Sequence, residues 1–325
     1  MGKSLIALAF VIAGVAYRWV EHPLRRFAAS RFSPSRLLGL AAASCFGLAG
    51  LAIALSHFDP VYSSARGDIL RRLILADNDA PRMIRGGCES TTDAESGVCV
   101  YGKPGGERKV ALFGDSHAQH LFDGLDAAAM SAGWELRIWA RGGCTPIDYP
   151  TSDPICTTLY RQTFRDLAAY QPDLIIISSS NGGAFNLHDP RTGKKHARQT
   201  SMEIWSTGFH DTLTRLSRLS PRVVVVRDTP LAAKQFGVAC LETQPQADCA
   251  TPRSEALSAE SPDVAVARAI PGIALLDLTD RFCDRKKCRS VDDGTIVYRA
   301  DNNHLTATMS LRLAPGFVTI LEDRH

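Results

Sequence analysis

The stretch that decides the fold is Val110-Ala111-Leu112-Phe113-Gly114-Asp115-Ser116-His117. Its first four residues are apolar, as in a strand that is buried on both faces of a parallel sheet. Gly114 permits a tight turn, and residues 117–132 then follow a helical pattern. Ser116 is therefore expected at a helix N-terminus, where free backbone N–H groups and the helix dipole favour a developing negative charge. This position suits a nucleophile.

Outward from this stretch, short apolar runs alternate with amphipathic segments. The further runs are residues 135–140, 174–178, 223–226 and 273–276. The helix-like segments are residues 157–170, 202–219, 254–269 and 306–313. Such alternation predicts βαβ units, and therefore an α/β fold with a parallel sheet covered on both faces.

A serine hydroxyl needs a base, and a block near the C-terminus supplies one. In Asp301-Asn302-Asn303-His304, the three-residue spacing within a turn lets the carboxylate reach the imidazole. The sequence thus predicts Ser116 as nucleophile, His304 as its base and Asp301 as the acid that orients the base. Taken alone, Ser116 could be a helix N-cap and the second block an ordinary loop. Their joint occurrence, after the first strand and before the last helix, is more specific.

The two blocks resemble those of the SGNH hydrolase superfamily, Gly-Asp-Ser and Asp-x-x-His. The resemblance implies a flavodoxin-like three-layer α/β/α sandwich that performs acyl chemistry without a cofactor or a metal. It also implies a glycine and an asparagine in the oxyanion hole. The candidates are Gly143 after the second strand, with Gly142 as second choice, and Asn181 after the third. Asn181 departs from the usual Gly-x-Asn-Asp pattern of the family, and a turn asparagine is the alternative.

Two apolar runs, residues 4–16 and 37–55, predict two transmembrane helices at the N-terminus. The stretch between them carries the arginines 18, 25, 26, 31 and 36 against a single acid, Glu21. The positive-inside rule puts this loop in the cytoplasm and everything after about residue 57 outside. A signal peptide is the competing interpretation, but residues 1–3 form a weak basic region and no small-x-small cleavage site follows.

The cysteines agree with an extracytoplasmic location. Apart from Cys45 in the second apolar run, they form four neighbouring pairs: 88 with 99, 144 with 156, 240 with 249, and 283 with 288. An even number that closes short loops is typical of disulfides in an oxidising compartment, and sequential pairing is the simplest connectivity. A zinc site is the alternative, but there is no Cys-x-x-Cys motif.

Residues 17–26, with the sequence Tyr-Arg-Trp-Val-Glu-His-Pro-Leu-Arg-Arg, resemble the end of the membrane acyltransferase-3 domain. In that family a further helix leads to an extracytoplasmic SGNH domain, and the proteins O-acetylate surface polysaccharides. The resemblance implies a location in the cell inner membrane with a periplasmic catalytic domain. It also implies a glycan acceptor and an acyl donor that a membrane acyltransferase module or partner delivers. Because the remaining helices of that module are missing from the sequence, we expect a C-terminal portion, a split protein or a truncated descendant.

The expected organisation is two membrane helices with a basic loop (1–56), a disulfide-tied lead-in (57–107) and an SGNH-type catalytic domain (108–325). The expected function is serine-dependent O-acyl transfer, with an acetyl group as the first choice. An acetylesterase of the same substrates and a non-catalytic glycan-binding or scaffolding domain are the alternatives.

Other residues and the overall charge have weaker implications. The net charge is only +3 and no long run of like charges occurs, so nucleic acid is not an expected partner. His117 and His120 could suggest a metal site, but a helix N-terminus disfavours cations and the sequence indicates no third ligand. Asp228 follows the fourth strand, where it would either line the cleft or cap the next turn.

Overall fold

The computed structural model describes residues 65–86, 100–151, 153–233, 235–244, 248–257 and 261–322, together with residues 17–21, 33, 35, 46, 47 and 50. The chain divides into two compact units, Met1–Ser64 and Ala65–His325. In the first unit, the described residues include a five-residue π-helix at Tyr17–Glu21. Everything below concerns the second unit.

The helices and strands of the second unit follow one another in the predicted alternation. The helices are α1 (Ala65–Asn78), α2 (Arg82–Arg85), α3 (Ser116–Gln119), α4 (Phe122–Ala132), α5 (Pro154–Tyr170), α6 (Asn181–Ala184), α7 (Arg198–Leu216), α8 (Gly237–Thr243), α9 (Arg253–Ala256), α10 (Pro262–Ala269), α11 (Thr279–Phe282), α12 (Ala307–Arg312) and α13 (Ala314–Glu322). The strands are β1 (Val100–Gly102), β2 (Arg108–Gly114), β3 (Trp134–Ala140), β4 (Leu174–Ser178), β5 (Val223–Val226), β6 (Thr251–Pro252), β7 (Ile273–Leu276), β8 (Lys287–Cys288), β9 (Val291–Asp292) and β10 (Thr295–Ile296).

The central sheet has the strand order β1-β3-β2-β4-β5-β7. All neighbours in it pair in parallel except β1, which runs antiparallel to β3 at the edge. Counted along the chain, the parallel strands have the order 2-1-3-4-5, which is the flavodoxin-like arrangement. The expected α/β fold with a mostly parallel sheet is therefore confirmed.

Each face of the sheet has its own hydrophobic core. Side chains of β2 alternate between them, since Leu112 packs with Phe122 and Phe317 on one face and Phe113 packs with Trp205 on the other. Helices α4, α12 and α13 cover the first face, and α5, α7 and α10 cover the second. Strands buried on both faces explain why the sequence of β4 and β5 is almost continuously apolar.

The segment before β2 is part of the second unit. Arg82 of α2 forms an ion pair at 2.7 Å with Asp123 of α4 and a second one with Asp126, which also accepts a hydrogen bond from the backbone N–H of Gly102 at 2.6 Å. The lead-in that the sequence suggests thus contributes two helices and an edge strand. The sequence pattern did not reveal the strand, because β1 has only three residues.

Three of the expected cysteine pairs are disulfides: Cys144–Cys156, Cys240–Cys249 and Cys283–Cys288. Cys88 and Cys99 lie outside the described residues, as do nearly all residues of the two apolar runs at 4–16 and 37–55. Among the residues that are described, no helix combines the length and the apolar character needed to cross a membrane.

Gly114 is a position where the turn after β2 requires glycine. Its φ is +149°, and a Cβ atom there would lie 1.9 Å from the carbonyl oxygen of Ser178 and 2.8 Å from the Cβ of Ala118. Since both obstacles belong to packed structure, Gly114→Ala is expected to lower the free energy of unfolding by about 3 kcal/mol or more. Chemical denaturation of the full chain measures this.

Gly105→Ala is the matched control. Gly105 also has a positive φ, +70°, but a Cβ atom there would meet nothing within 4 Å. We expect a loss of about 1 kcal/mol, from backbone strain alone. Equal losses in the two variants would contradict the close approach of β2 and β4 at Gly114.

Candidate active site

The ends of the central parallel strands meet at one edge of the sheet. Gly114, the last residue of β2, pairs with Ala140 at the end of β3 and with Ser178 at the end of β4. The loops that follow these strands therefore begin side by side. In doubly wound sheets, ligands bind in the crevice beyond this edge.

Ser116 is half-buried in the turn that follows β2, as the first residue of α3. Asp115, directly before it, caps this helix: one carboxylate oxygen accepts the backbone N–H of His117 at 2.8 Å. The other oxygen accepts the hydroxyl of Ser179 at 2.8 Å and the backbone N–H of Ser180 at 2.9 Å. Burial raises the pKa of the Asp115 carboxyl, which the charge of His117 and these hydrogen bonds oppose. Asp115 thereby joins the Ser116 turn to the end of β4.

Asp301 and His304 form the expected pair. Nδ1 of His304 lies 2.6 Å from one oxygen of Asp301, and the other oxygen accepts the backbone N–H groups of Asn303 and His304, each at 2.9 Å. Partial burial raises the pKa of Asp301, but the hydrogen bonds from His304 and Asn303 outweigh it and hold this pKa well below its usual range. The carboxylate is thus suited to orient the ring.

Asn302, one of the two residues between them, anchors this turn. Asn302 adopts the left-handed conformation with φ of +59°, and its side-chain oxygen accepts the backbone N–H of Val238 at 2.8 Å. Its carbonyl oxygen accepts the N–H of Ala232 at 3.1 Å. Through Asn302, the loop after β5 and the first turn of α8 therefore help to fix the position of Asp301 and His304.

The turn brings the His304 ring to the Ser116 end of the sheet. Its centroid lies 5.4 Å from that of His117, the residue after Ser116, at an interplanar angle of 65°. Nε2 of His304 is buried and has no hydrogen-bond partner among the described residues, so it does not bond to the Ser116 hydroxyl. Hydrogen bonds of this kind are often long in unliganded enzymes and shorten when substrate binds. The arrangement can perform acyl chemistry if the two atoms approach.

The two candidate glycines lie on the loop that follows β3. A Cβ atom on Gly142 would lie 3.7 Å from the Cβ of Ser116, whereas one on Gly143, whose φ is +79°, would meet nothing within 4 Å. Gly142, the second choice from sequence, is thus the glycine whose contact with Ser116 is directly visible. The Cys144–Cys156 disulfide closes this loop directly after Gly143.

Asn181, the other oxyanion candidate, is the first residue of α6 and is buried. Its backbone N–H donates to Asp228 at 2.7 Å, and its side-chain oxygen is buried without a hydrogen-bond partner among the described residues. The side-chain nitrogen of an asparagine carries two N–H groups that could serve as oxyanion donors. The oxyanion role of Asn181 remains a prediction.

A comparison with protein-family models matches residues 87–319 to the SGNH domain that is fused to AT3 domains. This match covers more than half of the chain. The chain belongs to this SGNH family. A comparison with curated protein sequences finds no match.

Solved structures that the chain resembles include an acetyltransferase domain and an esterase. The periplasmic domain of a lipopolysaccharide acetyltransferase from Salmonella ser. Paratyphi A is 18% identical, with a TM-score of 0.56, over 81% of this chain and 97% of that one. An acetyl-xylooligosaccharide esterase variant from Geobacillus is 11% identical, with a TM-score of 0.41, over 67% of this chain and 96% of that one. At these identities the likeness to the acetyltransferase domain supports the fold.

The SGNH domain contains buried acidic residues that the sequence motifs do not indicate. Nδ1 of His117 lies 2.5 Å from Asp228, and the backbone N–H of Asp228 donates to Asp263 at 2.7 Å. Burial, together with the charge of Asp228, raises the pKa of Asp263 to about 6. The sequence signal for Asp228 is its position directly after a strand. That position is equally compatible with a residue that lines the cleft and with one that caps the next turn.

His120 completes a cluster of three histidines. Its ring centroid lies 4.7 Å from that of His117 and 6.1 Å from that of His304, and its Nδ1 accepts the backbone N–H of Leu305 at 3.4 Å. Burial, followed by the charges of His117 and His304, holds the pKa of His120 well below its usual range. In the part of the chain that the structure describes, no three His, Cys, Asp or Glu side chains are arranged to hold a metal ion.

The His117–Asp228 pair makes the stability of the domain depend on pH. Burial lowers the pKa of His117, but the Asp228 carboxylate, assisted by Asp115 and Asp301, outweighs it and raises this pKa to about 9. Because the pKa is higher in the folded state, the stabilisation is complete below pH 6.5 and is lost as the pH rises through about 9. It amounts to roughly 3 kcal/mol.

We therefore expect Asp228→Asn to remove most of the decrease in the free energy of unfolding that wild type undergoes between pH 6.5 and 9.5. Urea denaturation at several pH values across this interval measures it. The same decrease in wild type and variant would contradict a charged His117–Asp228 pair.

Proposed function

We propose that this chain is a membrane-anchored, extracytoplasmic serine O-acyltransferase that transfers an acyl group, most simply acetyl, to a hydroxyl group of a cell-surface glycan. The observation that carries the proposal is the Asp301–His304 pair, whose Nδ1–oxygen distance is 2.6 Å. The unpartnered Nε2 of this ring is the atom that can take a proton from Ser116. The family match, the disulfides and the similar acetyltransferase domain support the proposed membrane location and the glycan substrate.

The acyl group moves in two balanced steps. Nε2 of His304 accepts the proton of Ser116, whose Oγ attacks the carbonyl carbon of the acyl donor and forms a tetrahedral oxyanion. When the donor bond breaks, His304 returns the proton to the leaving group and an acyl-Ser116 ester remains. The glycan hydroxyl then gives its proton to His304 and attacks the ester, and Ser116 recovers its proton as it leaves.

The oxyanion of each step needs hydrogen-bond donors. The backbone N–H groups of the Ser116 turn, with the loop of Gly142 and Gly143 and the amide of Asn181, are the candidates. The cavity beside this loop is bounded by Trp139, Tyr160 and the Cys144–Cys156 disulfide.

The setting follows from the family and the cysteines. SGNH domains of this family are fused to AT3 domains, so a membrane acyltransferase module or partner is the proposed source of the acyl donor. Three disulfides agree with an oxidising compartment outside the cytoplasm. Residues 1–56 would anchor the chain, residues 57–107 would lead away from the membrane, and residues 108–325 would carry the chemistry. The related periplasmic acetyltransferase domain is consistent with this placement.

Ser116→Ala is expected to abolish covalent labelling of the full chain by a fluorophosphonate probe, because the probe reacts only with an activated serine hydroxyl. His304→Asn and Asp301→Asn should each slow labelling at least about 100-fold, since the base or its orientation is lost. Fluorescence on a denaturing gel measures the rates.

Ser180→Ala is the matched control for this experiment. Ser180 is also half-buried at a helix N-terminus beyond a strand end, where its hydroxyl caps α6. Loss of the cap costs about 1 kcal/mol but leaves the nucleophile in place, so labelling should continue. Labelling of Ser116→Ala at the wild-type rate would refute Ser116 as nucleophile.

Transfer and hydrolysis differ in what accepts the acyl group. The full chain is incubated with an activated acetyl ester, with and without a surface polysaccharide as acceptor. We expect acetylated glycan and a matching decrease in free acetate, because the sugar hydroxyl competes with water for the acyl-enzyme. Acetate release that the glycan does not change, without glycan acetylation, would identify an esterase instead.

A further inference from the structure

A second histidine–carboxylate pair lies beside the first one. His117 and Asp228 are joined through Nδ1 at 2.5 Å, and their side chains are 0% and 3% exposed. The pair repeats the arrangement of His304 and Asp301, in which Nδ1 also faces a carboxylate. In both rings Nε2 is buried and unpartnered within the described residues. The acyl-transfer steps above use only one of these pairs.

Asp228 is held in a fixed orientation. One carboxylate oxygen faces His117, and the other accepts the backbone N–H of Asn181 at 2.7 Å. The backbone N–H of Asp228 itself donates to Asp263 at 2.7 Å. Asp228 therefore connects the residue after the nucleophile to the first turn of α6, where the oxyanion candidate Asn181 lies.

His117 in turn packs against the proposed base. Its ring meets the His304 ring edge to face, with 5.4 Å between centroids. The His120 ring, 4.7 Å from His117 and 6.1 Å from His304, completes a triangle of rings and is neutral because burial holds its pKa low. The His117 ring cannot turn without breaking its contact with Asp228, so it restricts where the His304 ring can lie.

The pair also brings a positive charge to an acidic site. The ionisable groups that face His117 are Asp228, Asp115 and Asp301, with His120 and His304 as the neighbouring rings. Asp228 has most influence among the acids and raises the pKa of His117 to about 9, despite the opposing effect of burial. At neutral pH an imidazolium ion therefore offsets buried carboxylates close to the place where an oxyanion forms.

We propose that His117 and Asp228 are positioning residues of the acyl-transfer site, forming a buried ion pair that holds the His304 ring and the Asn181 turn in place for the reaction at Ser116. This inference rests on the proposed function. It assigns no proton transfer to His117, whose proton stays in the ion pair during each reaction cycle below about pH 9. When His117 loses this proton at higher pH, no positive charge compensates the negative charge of the neighbouring carboxylates. Formation of the oxyanion then becomes less favourable.

The first test is the pH dependence of fluorophosphonate labelling in the full chain. For wild type we expect the labelling rate to fall above about pH 9 as His117 deprotonates. This fall in rate is the alkaline limb of the pH profile. In Asp228→Asn it should occur about two pH units lower, because burial without the carboxylate favours the neutral ring. His117→Gln should abolish the limb and lower the maximal labelling rate about 10- to 100-fold, while half-saturating probe concentration changes less than about twofold.

His120→Gln is the matched control, because His120 belongs to the same cluster and is equally buried but contacts no carboxylate in the part of the chain that the structure describes. In His120→Gln, the labelling rate should fall at the same alkaline pH as in wild type, whatever the maximal rate of this variant. A limb that stays unchanged in both Asp228→Asn and His117→Gln would overturn the proposal. An equal shift of the limb in His120→Gln and in Asp228→Asn would also overturn it, since the shift would then result from altered packing of the histidine cluster.

The second test does not depend on activity. In ¹⁵N-histidine-labelled full chain, NMR should reveal one imidazole that titrates near pH 9 and whose ring N–H resonance lies far downfield. That signal should vanish in His117→Gln and change in Asp228→Asn, but persist in Asp301→Asn. Absence of any histidine titrating near pH 9 would overturn the ion pair. If the titration is present but no variant of the chain, wild type included, is labelled at Ser116, the proposed function fails while the ion pair stands.

Discussion

The carboxylate of Asp115 is the group on which the candidate active site depends. It is buried at the end of β2, and three hydrogen-bond donors from two separate segments converge on it. A buried carboxylate without such partners would be strongly unfavourable, so the donors and the acid fix one another. The Ser116 turn and the start of α6 are consequently held as one rigid corner beyond the sheet.

Two further acids are buried close to the Ser116 turn. Asp228 and Asp263 are both buried and joined through a backbone N–H, which would be unfavourable if nothing compensated their charges. His117 provides the compensation on one side, and the raised pKa of Asp263 relieves it on the other. The site is thus built from polar groups that neutralise one another, and this gives each of them a defined position. Such a network tolerates the loss of a partner poorly, because the remaining group stays buried without one.

Much of the fold could be predicted from the sequence. The five parallel strands coincide with the short apolar runs of the sequence, and β4 and β5 are almost continuously apolar because both of their faces are covered. Helix boundaries were less reliable. The segment predicted as one helix from residue 117 is two, α3 and α4, and the segment at 254–269 is likewise divided into α9 and α10. The short strand β1 carries too few residues for a periodic signal, and only its pairing with β3 reveals it.

The candidate site residues also fall into two groups, those that the sequence indicates and those that only the structure reveals. Ser116 and the Asp301–His304 pair, which stay predicted site residues, could be proposed from sequence because each is a local feature: a residue after a strand, and an acid three positions before a histidine. Three of the four expected pairs of neighbouring cysteines are disulfides in the described residues, since short loops favour their closure.

The His117–Asp228 contact has no such local signature, because 111 positions separate the two residues along the chain. The sequence by itself therefore determined the order of the strands along the chain and the chemical groups at their ends. Which of those groups meet was decided only by the tertiary structure, because the parallel arrangement brings distant strand ends to one edge of the sheet and buries them together.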